Sequence, residues 1–508
     1  MIRVTVASIA TPTIRHRGNE SHPSNGAESR NRLCEAGAGL RTVSEVTFQV
    51  ASFTAGDSTV HLVLRILALA LSTLALTAAA ASAQSVEIRG ADPEAYTLDL
   101  RYADRGAGVL AGGERIDFVN RGPAPLERVW LRLWANGPDR CAPRRIDVEI
   151  EAPAVAGSES VRCSALEVRL GAAVASGATA SVSLRFRVRG RRASDRFGRI
   201  AGTAFLGNVI PVLAVEDANG LHLDPYTALG ESFYSLSASW DATLRLPARL
   251  RAATTGAVGS ENVAGARRTL SVHSDQARDF ALAIGPLRRR TTSVAGVKVR
   301  MHFGPRTRGV RRSVRAARRA VRALSRRLGP YGSSELDVVL FGNARIAGME
   351  YPELVFSLPI GEVVTHEVAH QWWYGLVGNN QFREPWLDEG FAQYSHERLH
   401  PRSNFCRPGR PYELVPGRWR RFGLDSTMGL FERHAPAAVG AVIYLAGSCA
   451  LQTLERGIGR RRMSAFLRLL QTRHRNGVMT TFDVFAAIRE VAPTFDLGRW
   501  RRAAHLSP

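Results

Sequence analysis

THEVAHQWWYGLVGNNQFREPWLDEGFAQY, residues 365–394, is the stretch from which the rest of the chain is read. His366 and His370 are four apart, so on an α-helix their imidazoles leave one face about a turn apart and can share one metal ion, with Glu367 beside them. Catalytic zinc takes three protein ligands and keeps a further position for water. Glu389, with eighteen residues between it and His370, is the expected third ligand. Pro385 suits a first helical turn, and Trp386, Phe391 and Tyr394 follow with helical spacing, so a second helix should carry that carboxylate. The first helix is expected to end near Gly375 or Gly378, and the chain to turn through Asn379 and Asn380 so that the two helices lie side by side. A bare His-Glu-x-x-His is weak evidence in a chain with thirteen histidines, and Glu389 is what makes it specific. The metalloprotease class with a third histidine six residues after His370 is excluded, because Leu376 stands there.

HEVAHQWWYGLVGNN followed by EPWLDEGFAQY resembles the gluzincin family of aminopeptidase N and leukotriene hydrolase. The resemblance implies two further site elements. The family's Gly-x-Met-Glu-Asn strand, whose Glu grips the free amino group of the substrate, corresponds to Ala347-Gly348-Met349-Glu350-Tyr351, with Ala for the first Gly and Tyr for Asn. Gly348, Met349 and Glu350 are thereby implied substrate-binding residues. The family's Tyr-x-x-Gly segment corresponds to Tyr444-Leu445-Ala446-Gly447, with Ala446 where Lys is common. The same resemblance implies one Zn2+ per chain on His366, His370 and Glu389, catalysis by Glu367 and Tyr444, and peptide substrates with a free N-terminus. It also implies that the long helical domain capping the cavity in larger relatives is missing, which opens the site.

The formal net charge of +23 would attract polyanions, but Lys298 is the only lysine and arginine is spread along the whole chain. That pattern reads as a GC-rich coding bias; no nucleic-acid motif accompanies it, so no nucleic-acid partner is expected. Residues 1–61 include a polar run that cannot bury enough surface to order itself. Residues 62–83 have the shape of a secretory signal: Arg65, an apolar run to Leu76, and small residues ending at Ala83. Cleavage is expected after Ala83, translation to start near Val60 or Val63, and the mature chain to have no membrane span. Beyond Cys34 four cysteines remain, which in an exported protein form two disulfides, most simply Cys141 with Cys163 and Cys406 with Cys449, although three connectivities are open.

Alternating segments at 96–101, 129–134, 180–188 and 237–246, punctuated by Gly, Pro, Asn and Asp, make residues 84–290 an all-β domain, sandwich-like or saddle-shaped. Asp224, Glu231 and Asp241 can approach a cleft from it, yet each taken singly reads as a solvated loop acid. Residues 291–508 form the second domain, and the resemblance implies a thermolysin-like α+β, mostly helical zinc peptidase domain. A helix is expected over 306–328 with an arginine-rich outer face, which ordinarily is a solvated face. Strands are expected over 336–341 and 349–358, the latter carrying Glu350, and helices over 438–456, 463–474 and 481–491. Trp372, Trp373 and Tyr374 should pack the zinc helix on the core. The activity expected is that of a zinc aminopeptidase. An oligopeptidase or endopeptidase on the same scaffold, or a silent cell-surface binding protein, are the alternatives, and the complete set of catalytic residues weighs against the last.

Overall fold

Side chains that alternate between water and core settle as strands, and the alternating segments do so here. The computed structural model describes residues 86–193, 196–342 and 346–507; the leader at 1–61, Cys34 and the export signal at 62–83 lie outside the described residues. A seven-stranded sheet runs, edge to edge, Ala257–Ala264, Arg267–Ala277, Ala238–Pro247, Ala91–Ala103, Val109–Asn120, Thr179–Arg189 and Ile146–Ile150. In Ala91–Ala103, Tyr96, Leu98 and Leu100 are buried while Thr97, Asp99 and Arg101 face water. A four-stranded sheet that includes Leu126–Arg132 and Ala165–Val174 shares the same apolar core through Leu131, Leu166 and Val168. The strand expected to reach Trp134 stops at Arg132, because Trp134–Asn136 turn as a short 3-10 helix. Cys141 bridges Cys163 and Cys406 bridges Cys449, the simplest pairing.

The second half is built on a sheet of β1 (Arg288–Val294), β2 (Val297–Phe303), β3 (Glu335–Leu340), β4 (Gly348–Met349) and β5 (Leu354–Ser357), in the order β1-β2-β3-β5-β4. Every residue of β3 is buried, as expected of a strand covered on both faces. Helix α1 (Val310–Leu328) lays Val321, Leu324 and Leu328 into the core. It begins at Val310 rather than at residue 306, because Gly309 stands at φ 82° and breaks the helical path. Against it pack α2 (Gly361–Ala369), α3 (Trp386–Leu399) and α5 (Arg460–Arg473), with α4 (Gly447–Ile458) and α6 (Thr481–Val491) completing a mostly helical layer. Helix α5 starts at Arg460, earlier than the expected 463, and α6 is closed by a Thr480–Asp483 capping box. Among the described residues one helical stretch, Pro436–Ile458, is long and apolar enough to cross a membrane, and it is mostly buried in this layer.

Two departures from the expected elements shape the site. The single strand read over 349–358 is two strands, since Pro352 has no N–H to donate and Glu353 takes φ 63°. Glu350 therefore follows β4 in a tight turn instead of lying within a strand, and β4 is the outer strand of the sheet. The zinc helix is also shorter than expected. It ends at Ala369 with His370 as its cap, well before Gly375. Beyond it the N–H groups of Gly375, Leu376 and Val377 reach back five residues to the carbonyls of His370, Gln371 and Trp372, wider than an α-turn. That bend buries Trp372, Trp373 and Tyr374 completely, as expected of the aromatic run.

Candidate active site

His366 leaves the last turn of α2, His370 caps that helix, and Glu389 sits in the first turn of α3. The atoms that face one another are His366 Nε2, His370 Nε2 and Glu389 Oε2. They stand 3.1 Å (His366 to Glu389), 3.1 Å (His366 to His370) and 3.3 Å (His370 to Glu389) apart. Donors bonded at about 2.0–2.1 Å to a tetrahedral zinc lie about 3.3 Å from one another, so this donor set fits zinc in both chemistry and spacing. His370 Nδ1 donates to the Trp373 carbonyl at 3.1 Å, which leaves the Nε2 lone pair for a metal. His366 is held from its other side by Gln393, whose amide in turn donates to Glu397 at 2.8 Å. Glu397 also receives hydrogen bonds from Ser448 and Gln452 on α4.

Glu367 points to the opposite side of α2 from the solvent and is buried against β4. Residue 348 has to be glycine for that contact: a Cβ there would lie 2.1 Å from the Glu367 carboxyl. Burial first, and then the Glu350 charge, push the Glu367 carboxyl well above the usual carboxylate range. Met349, implied as substrate-binding, turns its side chain into the β core, so only its backbone faces the site.

Tyr444 donates to Glu389 Oε1 at 2.6 Å and lays its ring on His366, centroids 5.8 Å apart. The helix read over 438–456 is not uniform. Gly440–Ala446 is a π-helix carrying Tyr444, and regular α4 begins only at Gly447. The glycine of Tyr-x-x-Gly has a physical reason: Gly447 meets Gly390 of α3, and a Cβ on either would lie 3.2–3.3 Å from the other's Cα. That close crossing brings Tyr444 onto Glu389.

The amine side of the site contains a residue that sequence reasoning counted against. Glu231, in a segment without regular structure, is buried with a carboxylate oxygen within 4.8 Å of those of Glu350 and Glu389. Gln381 donates to Glu350 at 3.1 Å and to Asp388 at 2.7 Å, fixing the turn after β4 to the start of α3. Tyr351 stands where the resembled motif has Asn. Its hydroxyl crosses to Asn208 at 3.0 Å over Gly207, while its carbonyl accepts from Gln371 at 3.0 Å, so Glu350 is clamped from both halves. Asp241 is exposed on the large sheet beside His273, away from this cluster.

Residues 357–406 match the Peptidase family M1 domain. Over this stretch, which holds His366, His370 and Glu389, the chain is similar to peptidase family M1. It is 34% identical to aminopeptidase B of Homo sapiens over 80 residues, 14% of this chain and 12% of that protein. With leukotriene A-4 hydrolase of Xenopus laevis it shares 28% over 152 residues, 26% and 25% of the two lengths. The matches thus span between an eighth and a quarter of those two relatives. The fold is similar to that of the M1 zinc metallopeptidase from Deinococcus radiodurans, with TM-score 0.60 and 20% identity over 82% of this chain and 95% of that one.

Asp224, the other loop acid of the β half, holds the margin of this site. It pairs with Arg383 at 3.0 Å, and both approach His222, which is bonded to Asp217 at 2.9 Å and lies 3.2 Å from the Asn380 amide. Burial alone would lower the His222 pKa, but its hydrogen bonds to Asp217 and Asp224 outweigh it and the pKa is raised. A raised histidine contributes stability that is fully present below the unfolded value of about 6.5 and is lost as pH rises through the folded value. The melting temperature should therefore decline over that window in the native protein, and His222→Gln should flatten the decline. Thermal melts of the two proteins across a buffer series test this, and parallel curves would refute it.

Proposed function

We propose that the chain is an exported zinc aminopeptidase that removes N-terminal residues from peptides. The observation that carries this reading is the pair Glu350 and Glu231 beside the three metal-ligand atoms, a buried anionic seat for an ammonium group next to the reacting centre. Burial raises Glu231 to about 8, with Arg196 opposing and Glu389 adding to the shift; burial and then Glu231 raise Glu350. Arg196 pairs with Glu231 at 3.4 Å but is one charge against two carboxyls, so the pair still tends to hold a proton. A substrate ammonium supplies the missing charge, and an acetylated terminus does not.

Zinc, when bound by His366, His370 and Glu389, supplies Lewis acidity that brings the pKa of a water toward neutrality and polarises a carbonyl. Glu367 takes the proton of the attacking water and returns it to the departing amine, a role suited to a carboxyl held above its usual range. Tyr444 turns its hydroxyl from Glu389 to the oxyanion as charge develops there. The outer strand β4 offers backbone groups to an extended peptide. A variant of the Deinococcus radiodurans metallopeptidase has been captured with Tyr-Ser-Ala. Both disulfides are formed, which supports an oxidising compartment and hence export through residues 62–83, with mature domains at 84–290 and 291–508.

The test is a peptide with a free N-terminus against its acetylated twin. Cleavage of the free peptide alone is expected, and Glu350→Gln should lower kcat/KM on it about 10–100-fold, as for loss of a charged hydrogen bond. Equal cleavage of both would move the assignment to an endopeptidase, and cleavage of neither to a binding protein.

A further inference from the structure

The outer face of α1 carries Arg311, Arg312, Arg315, Arg318, Arg319, Arg322, Arg326 and Arg327, all exposed. Among the described residues none of the eight lies within salt-bridge distance of a carboxylate. Several arginines of the β half do, for instance Arg185 with Glu151 and Arg189 with Asp147. Coding bias accounts for arginine in place of lysine, but not for a helix of 19 residues without one acid.

The arrangement works against the helix's own stability. Arg311 and Arg312 stand in the first turn, where the helix dipole repels cations and no acid is present. Arg311–Arg315, Arg315–Arg319, Arg318–Arg322 and Arg322–Arg326 are like charges four residues apart, each pair unfavourable. Arg468 of α5 donates to the carbonyls of Arg326 and Arg327 and extends the stripe at its other end. Two open clefts of about 560 Å³ each flank the ridge, and Arg322 and Arg326 line both. The whole is a rigid cationic stripe about 28 Å long at 1.5 Å per residue.

We propose that this face docks the protein on an anionic lipid bilayer. Guanidinium pairs with phosphate in bidentate fashion, and a bilayer offers a laterally adjustable phosphate array that an extended stripe matches without a shaped pocket. The eight outward positions include no apolar or aromatic side chain of the kind that anchors a protein partner. This choice of occupant rests on the export proposed above, which the two disulfides support: outside the cytoplasm lipid headgroups rather than nucleic acid are the abundant polyanion.

The test is cosedimentation of the full chain with phosphatidylcholine vesicles, with and without phosphatidylglycerol, at low and high salt. Two variants are compared: Arg315→Gln, Arg318→Gln, Arg322→Gln and Arg326→Gln together, and a control of equal charge loss at the exposed Arg101, Arg187, Arg251 and Arg267 of the β half. Native protein and control should bind the anionic vesicles in a salt-sensitive way, and the α1 variant should lose about 100-fold or more of its partitioning. The α1 variant should melt at or slightly above the native temperature, because its like-charge pairs are relieved, and its peptidase activity should stay native. Equal loss in both variants, no vesicle binding by the native chain, or tighter binding of duplex DNA than of vesicles would each overturn the proposal.

Discussion

Glu367→Gln is expected to lower kcat on a free-amine peptide by about 10³-fold or more while leaving zinc content and KM little changed, because general-base catalysis supplies about 10²–10⁴ of the rate. Glutamine has the shape of the carboxyl and fills the same buried space beside Gly348, but it cannot take a proton. Nor does the neutral amide bring a new charge into this buried position. A companion substitution separates geometry from chemistry. Gly348→Ala keeps the carboxyl but places a Cβ 2.1 Å from it, and Glu367 has to move. A displacement on the order of 1 Å costs about 10²-fold, so this variant should be impaired less than Glu367→Gln. Steady-state kinetics together with zinc analysis check both. Full turnover by Glu367→Gln would remove that residue from the chemistry and leave the proton to another group.

The parts of this site that sequence exposes are those fixed by short spacing. The ligand pair four apart on one helix and Glu389 near the start of the next need only local helical geometry to be placed, and His366, His370 and Glu389 do meet. Glu231 belongs to the other kind. It lies in a loop with no periodicity, and only the docking of the β half on the catalytic sheet brings it to Glu350, 119 positions later in the chain. Asp241, by contrast, lies in the alternating run 237–246 between the buried Trp240 and Ala242, and faces water as that position dictates. Pro352 marks a break in the segment carrying Glu350, and the expectation of one strand over 349–358 took no account of it. The wide turns after His370 and at Tyr444 are a third kind: their residues have ordinary helical spacing, and it is the burial of three aromatic side chains and the Gly390–Gly447 contact that sets the backbone. Tyr351 shows how a departure from a family motif is absorbed, since the larger side chain finds its space over Gly207.

Zinc titrated into the metal-free protein should displace a proton, and its apparent affinity should fall about tenfold per pH unit below the pKa of the group that loses it. That group is His370. Burial alone would lower its pKa, but the Glu389 carboxylate beside it pushes it up to about 9, while His366, where burial dominates, is lowered. In the metal-free state near neutral pH the three ligand side chains therefore hold one proton that a metal must displace, on His370 Nε2 facing Glu389, because the Nδ1 proton is committed to the Trp373 carbonyl. A metal ion needs that same Nε2 lone pair. Binding must drive off that proton, and calorimetry in two buffers of different ionisation enthalpy should count at least about one released per site at neutral pH. Zero release would mean that His370 is already neutral and that Glu389 does not govern it. Glu389→Gln separates the two roles of that residue: it removes the charge that raises His370, so proton release should drop by about one, and it weakens a ligand, so affinity should fall as well. A variant that lost affinity with proton release undiminished would point to a different titrating group, with Glu367, next to both imidazoles, the first to examine.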